Sequence, residues 1–151
     1  YLMFIARFFG NAKRAKEIAE VGAQISDLGP RLFDRVSTYS KGMTRKLVIA
    51  RALMVRPRLA ILDEPTSGLD VVSAVSVREQ IRTAASYGAV LLSSHNLFEV
   101  ESLCHRVALV YEGRIVACGM PKKLRQQTGK NTLEEVFLEM MRHLQHVQKK
   151  A

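Results

Sequence analysis

The sequence predicts an α/β domain with a parallel sheet as its core. Two short apolar runs, Leu59–Glu64 and Val90–Ser93, have the length and composition of buried strands. The segment between them, from about Val71 to Ala85, has the apolar periodicity of a helix. A strand, a helix and a second strand in this order are typical of a unit with parallel strands.

Polar side chains follow both predicted strands. The first strand ends in Asp63 and Glu64, and His95 comes shortly after the second. Because parallel strands end at the same edge of a sheet, we expect these three side chains to lie at one edge if the strands are neighbours. Asp63 suits Mg²⁺ and Glu64 suits an attacking water. The alternatives are that the acidic pair only caps the following turn and that the histidine is structural.

The segment Tyr39–Met43 opens an apolar helix that runs to about Val55 and stops before Pro57. Ser40 is a candidate N-cap, and Gly42 allows backbone N–H groups to approach a bound anion. A phosphate group therefore fits this helix end. Capping and phosphate binding by the serine are compatible because both use the same end of the helix. The apolar positions of this helix are expected to be core: Leu47, Ile49, Leu53 and Val55.

The remaining elements follow from caps, turns and periodicity. We expect a helical region from Tyr1 to about Ile25 with a break at Gly10-Asn11, and a turn at Leu28-Gly29-Pro30. Further predictions are, in chain order, a helix at Asn96–Leu103, a hairpin of Val107–Tyr111 and Arg114–Cys118 around Glu112-Gly113, and helices at Lys122–Gln127 and Leu133–Val147.

Composition is that of one globular domain, since the 151 residues are 48% hydrophobic and 25% charged. Two parallel strands and one hairpin are fewer than a stable α/β layer usually has, so the sheet is expected to be incomplete. No apolar run approaches the roughly 20 residues of a membrane-spanning helix, and no secretory signal is visible. These features predict a cytosolic protein that partners could hold at a membrane.

The net charge indicates which partners to expect, and the cysteines and histidines indicate whether disulfides or metal sites are expected. The net charge of +9 fits an anionic membrane surface or a basic proteome. Nucleic acid is disfavoured, because the lysines and arginines are dispersed and carry no aromatic-interleaved patch. Cys104 and Cys118 are isolated, which predicts free thiols. His143 and His146 have helical spacing but lack further ligands for a metal.

Three of these segments, together with a fourth that follows the first strand, resemble the ATP-binding-cassette (ABC) transporter ATPases. The segments are Tyr39–Met43, Leu59–Glu64, Ser67–Asp70 and His95, which match the family's signature motif, Walker B strand, D-loop and switch histidine in order and spacing. The resemblance extends from about Leu2 to Met141. Tyr39 and Lys41 also resemble, though less specifically, the branch that energises drug, antibiotic, sodium or polysaccharide exporters.

The resemblance implies a partial P-loop NTPase (ABC ATPase) fold, with a parallel sheet core, an α-helical subdomain, and a C-terminal β-hairpin and helices. It divides the chain into four parts: residues 1–38, part of the helical subdomain; 39–58, the signature helix; 59–120, the C-terminal part of the catalytic core; and 121–151, a helical extension. The implied activity is ATP hydrolysis coupled to transmembrane transport.

The resemblance also implies a role for each candidate residue. Asp63 would hold Mg²⁺, and Glu64 would orient the attacking water. His95 would contact the γ-phosphate of ATP. Ser40 and Gly42 would bind that phosphate from the opposite subunit of a head-to-tail dimer. Asp70 would link the two sites at the dimer interface; alternatively, it only starts the helix at Val71.

The sequence departs from the family pattern in several places. It contains no G-x-x-x-x-G-K-[ST] loop, which cradles the β- and γ-phosphates, and the Q-loop glutamine is expected upstream. Because Tyr1 is not an initiator methionine, we interpret the chain as the C-terminal part of a longer protein and expect it to be inactive alone. Within the signature, Lys41 replaces a common glycine and Met43 a common glutamine, so contacts of that amide are not expected.

The expected partners are a second nucleotide-binding domain and a membrane-spanning permease subunit, and no nucleic acid. The expected location is the inner face of the cell membrane. Exposed apolar residues of the first helical segment, such as Phe8 and Phe9, are candidates for the permease contact or for a core role. The alternative function is a non-transport ABC module acting on the ribosome or on nucleic acid, which would require a second cassette or a coiled-coil insertion.

Overall fold

The computed structural model describes the backbone of residues 1–148 and the side chains of residues 1–142, so the pair His143 and His146 lies outside the described side chains. The chain forms two compact units, Tyr1–Ser93 and a second unit that begins at Ser94. The helices are α1 (Leu2–Ala6), α2 (Ala12–Ser26), α3 (Lys41–Leu53), α4 (Val71–Ala85), α5 (Leu97–Leu103), α6 (Pro121–Thr128) and α7 (Leu133–Gln148), with 3₁₀ turns at Arg7–Phe9, Gly29–Phe33 and Val36–Thr38. The strands are β1 (Leu59–Asp63), β2 (Ala89–Ser93), β3 (Val107–Tyr111) and β4 (Arg114–Gly119).

The two predicted strands of the first unit pair in parallel. Their register aligns Leu59 with Ala89 at one end and Asp63 with Ser93 at the other. The connecting helix α4 packs against β2 and buries the stripe Val77, Ile81 and Ala84. The βαβ unit that the sequence predicts is therefore confirmed, and both strands end at the same edge.

Only one face of this sheet is covered. Ala60 and Leu62 of β1 are buried, whereas Ile61, between them, is 70% exposed. Leu59 and Leu91 are exposed as well. The expectation of two fully buried strands is therefore wrong for the described residues. Alternate side chains of a strand point to opposite faces, and a two-stranded sheet with helices on one side leaves its other apolar face open.

The helical part of the first unit has its own core. Its buried members come from α1, α2, α3, the residue after α3 and the turn after α2: Leu2, Ala6, Ala15, Ile18, Ala19, Leu28, Leu47 and Met54. The predicted break between α1 and α2 is confirmed, since Gly10 separates the elements and the Asn11 side chain caps α2 by accepting from the Arg14 N–H at 3.0 Å. The predicted turn at Leu28-Gly29-Pro30 is a short 3₁₀ segment that continues to Phe33.

Polar contacts of Asp27 connect the end of α2 to α3 and α4. Asp27 ends α2 in the left-handed conformation, with φ 48°. Its carboxylate accepts hydrogen bonds from Lys46 of α3 at 3.0 Å and from the Ser76 hydroxyl of α4 at 3.2 Å. The Lys46 hydrogen bond is the main cause that lowers the pKa of Asp27. This contact joins the helical part to the βαβ part within the first unit.

The second unit consists of α5, the hairpin β3–β4, α6 and α7. The hairpin turns at Glu112 and Gly113, both with positive φ, as the sequence predicts. Glu101 of α5 pairs with Arg125 of α6 at 3.0 Å and accepts a hydrogen bond from the Leu133 N–H, which starts α7. Burial raises the pKa of the half-buried Cys104 thiol.

Across the part of the chain that the structure describes, no helix is both long and apolar enough to span a membrane.

Candidate functional site

The acidic pair lies at the carboxyl edge of the parallel sheet. Asp63 is the last residue of β1, and its neighbour in β2 is Ser93. The Ser93 hydroxyl donates a hydrogen bond to the Asp63 carboxylate. Asp63 is exposed, so this carboxylate faces solvent with one oxygen held in place. The arrangement presents a carboxylate and a hydroxyl oxygen side by side at a strand end.

Glu64 leaves the strand through a left-handed backbone turn, with φ 45°. Its N–H donates to both the carbonyl and the hydroxyl oxygen of Ser93, at 3.1 and 3.2 Å. Its carbonyl then accepts the Ser67 N–H at 3.2 Å, which closes the turn toward Gly68. A left-handed glutamate is uncommon, and here its backbone hydrogen bonds hold it. Glu64 is half-buried as a residue, whereas Asp63 is exposed.

The predicted anion-binding turn has the expected capping geometry. Ser40 is the N-cap of α3, and its hydroxyl accepts a hydrogen bond from the Met43 N–H at 3.2 Å. Gly42 is buried against the start of α4: a Cβ atom added there would lie 2.7 Å from the Ser73 Oγ and 3.6 Å from the Asp70 Oδ2. A larger residue here would require the Ser73 side chain or the helix that carries it to shift, so glycine suits this close approach of α3 to α4.

Lys41 connects the same turn to the loop after β1. Its ammonium group lies against the backbone of Gly68, where an added Cβ atom would collide with it. Gly68 itself has a positive φ of 67°. The loop that follows the acidic pair and the start of α3 are therefore neighbours within the first unit.

Asp70 caps α4 and accepts a hydrogen bond from the Ser73 N–H at 2.9 Å. This backbone hydrogen bond is the main cause that lowers the pKa of Asp70. The next two residues, Val71 and Val72, are apolar but highly exposed, with 79% exposure at Val71. The capping role of Asp70 is thus present, and it stands beside an apolar surface that the described residues leave uncovered.

His95 is exposed and belongs to the second unit. It follows the end of β2 by two residues, after Ser94, whose hydroxyl accepts the Asn96 N–H at 3.1 Å. The structure thus brings together Asp63 and Glu64. The convergence of His95 with them stays a prediction.

The oxygen atoms at this strand end are of the kind that a hard cation binds. Among the described residues no group of three or more His, Cys, Asp or Glu side chains converges as in an all-protein metal cage. Mg²⁺ does not need such a cage, because it keeps several waters and takes one or two carboxylates together with substrate phosphates. Asp63 with the Ser93 hydroxyl beside it fits that limited demand.

Two contributors were not identified from the sequence as site residues. Ser93 forms hydrogen bonds with both acidic residues, and Ser73 packs closely against Gly42 where α3 contacts α4. The signal for Ser93 was present, since it ends the second apolar run as Asp63 ends the first, but its use requires the strand register. No local sequence pattern marks Ser73.

Comparisons with known proteins agree with this geometry. The family model described as "ABC transporter" matches residues 9–67. The chain is 34% identical to the linearmycin resistance ATP-binding protein LnrL of Bacillus subtilis, over 97% of this chain and 50% of that protein. It is 33% identical to the ABC transporter ATP-binding protein NatA of the same organism, over 91% of this chain and 56% of that protein.

A third relative and a solved structure extend this similarity. The Nod factor export ATP-binding protein I of Burkholderia pseudomallei is 37% identical over 82% of this chain and 41% of that protein. The solved structure of an ATP-binding subunit of an ABC transporter superposes with a TM-score of 0.75 at 28% identity, over 93% of this chain and 62% of that chain. The chain spans about half the length of the curated relatives it matches.

Proposed function

The chain belongs to the family of ABC transporter ATP-binding proteins, and from this premise we propose that it contributes part of an ATPase site that drives transmembrane export. The observation that carries the proposal is the pairing of Asp63 and Glu64 at the carboxyl edge of β1, both bound to Ser93 of the neighbouring parallel strand. Ligands of open α/β sheets bind at this edge. Two of the named relatives are described by their names as acting in linearmycin resistance and in Nod factor export, which favours export as the direction.

The two carboxylates have different tasks in this proposal. Asp63 would hold Mg²⁺ next to the β- and γ-phosphates of ATP, and the ion would neutralise charge on the transferred phosphoryl group. Glu64 orients a water molecule for attack and accepts its proton. The hydrogen bonds of Ser93 support this division, because they hold Asp63 at the strand end and turn the backbone of Glu64 away from it.

The start of α3 would serve a second nucleotide-binding domain. Ser40 and Gly42 lie at the N-terminal end of this helix, where N–H groups and the helix dipole favour an anion. We place the γ-phosphate of a nucleotide held by the opposite subunit there. The contact between Lys41 and Gly68 supports the arrangement, since it links this phosphate-binding turn to the loop that follows Glu64.

Asp70 would lie at the interface between the two nucleotide-binding domains. Support comes from Val71 and Val72, whose exposed apolar side chains directly follow it. Exposed apolar surface of this kind is typical of protein–protein contacts. The role proposed for His95 is to contact the γ-phosphate and to register its loss.

The proposed membrane partner is a permease subunit at the inner face of the cell membrane. Phe4, Phe8 and Phe9 at the start of the chain are exposed, with 73% exposure at Phe8. The rings of Phe4 and Phe8 meet edge to face at 5.4 Å, so they form one apolar ridge. Such a ridge suits docking to an apolar groove of a partner.

The 151 residues contain no phosphate-binding G-x-x-x-x-G-K-[ST] loop. In this proposal, other residues of the assembly bind the β- and γ-phosphates of the nucleotide. We expect these 151 residues alone to release no phosphate from ATP above background. Steady phosphate release by the purified 151-residue chain would contradict this expectation.

The deciding experiment is Glu64→Gln in the full-length protein. Removal of a general base lowers the rate by about 10²–10⁴, whereas ATP binding depends mainly on the phosphates and Mg²⁺. We expect hydrolysis to stall while ATP affinity and the closed dimer remain. The matched control is Glu20→Gln on the exposed surface of α2, which should turn over ATP normally. Equal turnover by both variants would remove Glu64 from the base role.

A further inference from the structure

Glu64 keeps its left-handed conformation with the help of backbone hydrogen bonds on both sides. Its N–H donates to the carbonyl oxygen of Ser93, and its own carbonyl oxygen accepts the Ser67 N–H at 3.2 Å. A left-handed glutamate, here with φ 45°, persists only where its surroundings hold it. The strand register fixes Ser93. Ser67 belongs to the loop between β1 and α4, so the second hydrogen bond is only as firm as that loop.

The residue after Ser67 is the most exposed part of this loop. Pro65 is buried, and Thr66, Ser67 and Leu69 are half-buried, whereas Gly68 is exposed and has no side chain that could pack. Gly68 also has a left-handed backbone, with φ 67°. Contacts that hold the loop at this point must therefore come from another element.

Lys41, the first residue of α3, supplies such a contact. Its side chain lies across the backbone of Gly68, because a Cβ atom added to the glycine would collide with the ammonium nitrogen and would lie 3.1 Å from the Cε atom. The helix end that carries the lysine is itself packed on α4, through the close contact of Gly42 with Ser73. Lys41 therefore connects a fixed helix end to the exposed part of the loop.

The charge of Lys41 is not what makes this contact. Its ammonium group forms no ion pair and no hydrogen bond with any residue that the structure describes. A cation in the first turn of a helix is also unfavourable, since the N-terminal end of the helix dipole is positive. The contact with Gly68 is therefore one of packing, and the length of the side chain matters more than its charge.

We propose that Lys41 is a positioning residue for Glu64. The lysine side chain packs on Gly68 and holds the loop, the adjacent Ser67 N–H then keeps the Glu64 carbonyl in place, and the glutamate carboxylate stays oriented toward the attacking water. Lys41 touches neither ATP nor that water in this role. The proposal deepens the ATPase function proposed above and rests on it. It gives a task to a residue at which the sequence departs from the glycine common in the family.

Steady-state ATP hydrolysis by the full-length protein separates packing from charge. Lys41→Gly removes the side chain and should lower kcat about tenfold with little change in the KM for ATP, because a misplaced catalytic group slows the chemical step and not binding. Lys41→Met keeps the side chain as far as the position of Cε and should restore most of the rate. A Lys41→Met variant as slow as Lys41→Gly, or a KM raised in both variants, would overturn the proposal, since the charge would then be what matters.

Two further comparisons locate the effect at the loop. Lys13→Gly makes the same change at an exposed position in the first turn of α2 and should leave kcat unaltered. Gly68→Ala displaces the Lys41 side chain, so in that background Lys41→Gly should lower kcat much less than about tenfold, because two substitutions that remove one contact are not additive. Full additivity would overturn the proposal.

Failure of the ATPase proposal gives a different result. If Glu64→Gln hydrolyses ATP as fast as the unsubstituted protein, the glutamate is not the base and the positioning role is overturned with it. If Glu64→Gln stalls hydrolysis while Lys41→Gly has the unsubstituted kcat, only the positioning role is overturned.

Discussion

The hydroxyl group of Ser93 donates a hydrogen bond to the carboxylate of Asp63 where the two parallel strands end side by side. The same hydroxyl oxygen accepts the N–H of Glu64 at 3.2 Å. One serine thus contacts both acidic residues, one through its side chain and the other through its backbone. Partners of this kind orient the groups that hold a metal ion.

We predict that Ser93→Ala in the full-length protein raises the Mg²⁺ concentration needed for ATP turnover by about 10–100-fold, the usual effect of losing a group that orients a metal-binding residue. The physical reason is that Asp63 loses the donor that fixes its carboxylate. Magnesium titrations of the hydrolysis rate measure this shift.

Two control substitutions test whether the shift comes from a poorly oriented Asp63 carboxylate and not from a loss of folding. Ser93→Thr retains the hydroxyl on a strand and should restore the original magnesium requirement. Ser86→Ala removes a hydroxyl that binds the Thr83 carbonyl at the end of α4, and it should leave the requirement unchanged. An unaltered magnesium requirement in Ser93→Ala would show that Asp63 needs no such support.

Gly42→Ala should destabilise the protein by about 1–2 kcal/mol, as overpacking of a tight contact does. The added methyl group would lie 2.7 Å from the Ser73 Oγ, so either that hydroxyl group or the helix that carries it must shift. Urea unfolding measures the change. In a Ser73→Ala background the same glycine substitution should cost less, or stabilise the helix through the higher helix propensity of alanine. An equal loss in both backgrounds would locate the strain elsewhere.

Local sequence signals were sufficient for most elements of this fold. Ser40 and Asp70 are small polar residues placed directly before apolar periodic segments, and each caps the predicted helix through its side chain. The two apolar runs became parallel strands, and Glu112-Gly113 became the hairpin turn. These features depend on residues a few positions apart, so the sequence alone specifies them.

Contacts between distant residues were not predictable in the same way. Ser93 meets Asp63 only because of the strand register, and Asp27 meets Ser76 across 49 residues. The exposed face of β1 was also missed, since the continuous run of apolar residues is typical of a strand buried on both faces. Whether a second layer covers that face depends on packing, which periodicity does not encode.

Asp27→Asn should lower stability by about 1 kcal/mol at neutral pH, the usual size for a largely exposed charged hydrogen bond. Asparagine tolerates the left-handed backbone at this position, so the substitution removes mainly the charge. Because hydrogen bonding to Lys46 lowers the folded pKa of Asp27 below 3.8, the carboxylate stabilises the fold above that value. Its contribution is lost as the pH falls through the lower folded pKa.

Urea unfolding at several pH values tests this pH dependence. The difference in unfolding free energy between the unsubstituted protein and Asp27→Asn should shrink once the pH is well below 3.8. Asp34→Asn, which removes the exposed pair with Arg31 on one short helical segment, is the control and should change stability less. A difference that persists undiminished in acid would mean that Asp27 acts through its shape and not its charge.

Ile61→Thr and Leu62→Thr are neighbouring substitutions in β1 that should differ strongly in their effect on the stability of the 151-residue chain. Leu62 is 7% exposed, and its replacement removes buried apolar volume and buries a hydroxyl group, which should cost about 2–4 kcal/mol. Ile61 points to the open face and stays β-branched as threonine, so the change should be within about 0.5 kcal/mol. Chemical denaturation of the two variants measures both values.

The same pair also tests whether further residues of the proposed longer protein cover this face. If the proposed nucleotide-binding part packs on β1 there, Ile61→Thr should become costly in the full-length protein, by about 2–4 kcal/mol, because the ethyl group that it loses and the hydroxyl group that it gains are then buried. Leu62→Thr should cost the same in both forms, since its environment is already complete. An Ile61→Thr variant that stays neutral in the full-length protein would mean that the open face of the sheet remains in contact with solvent.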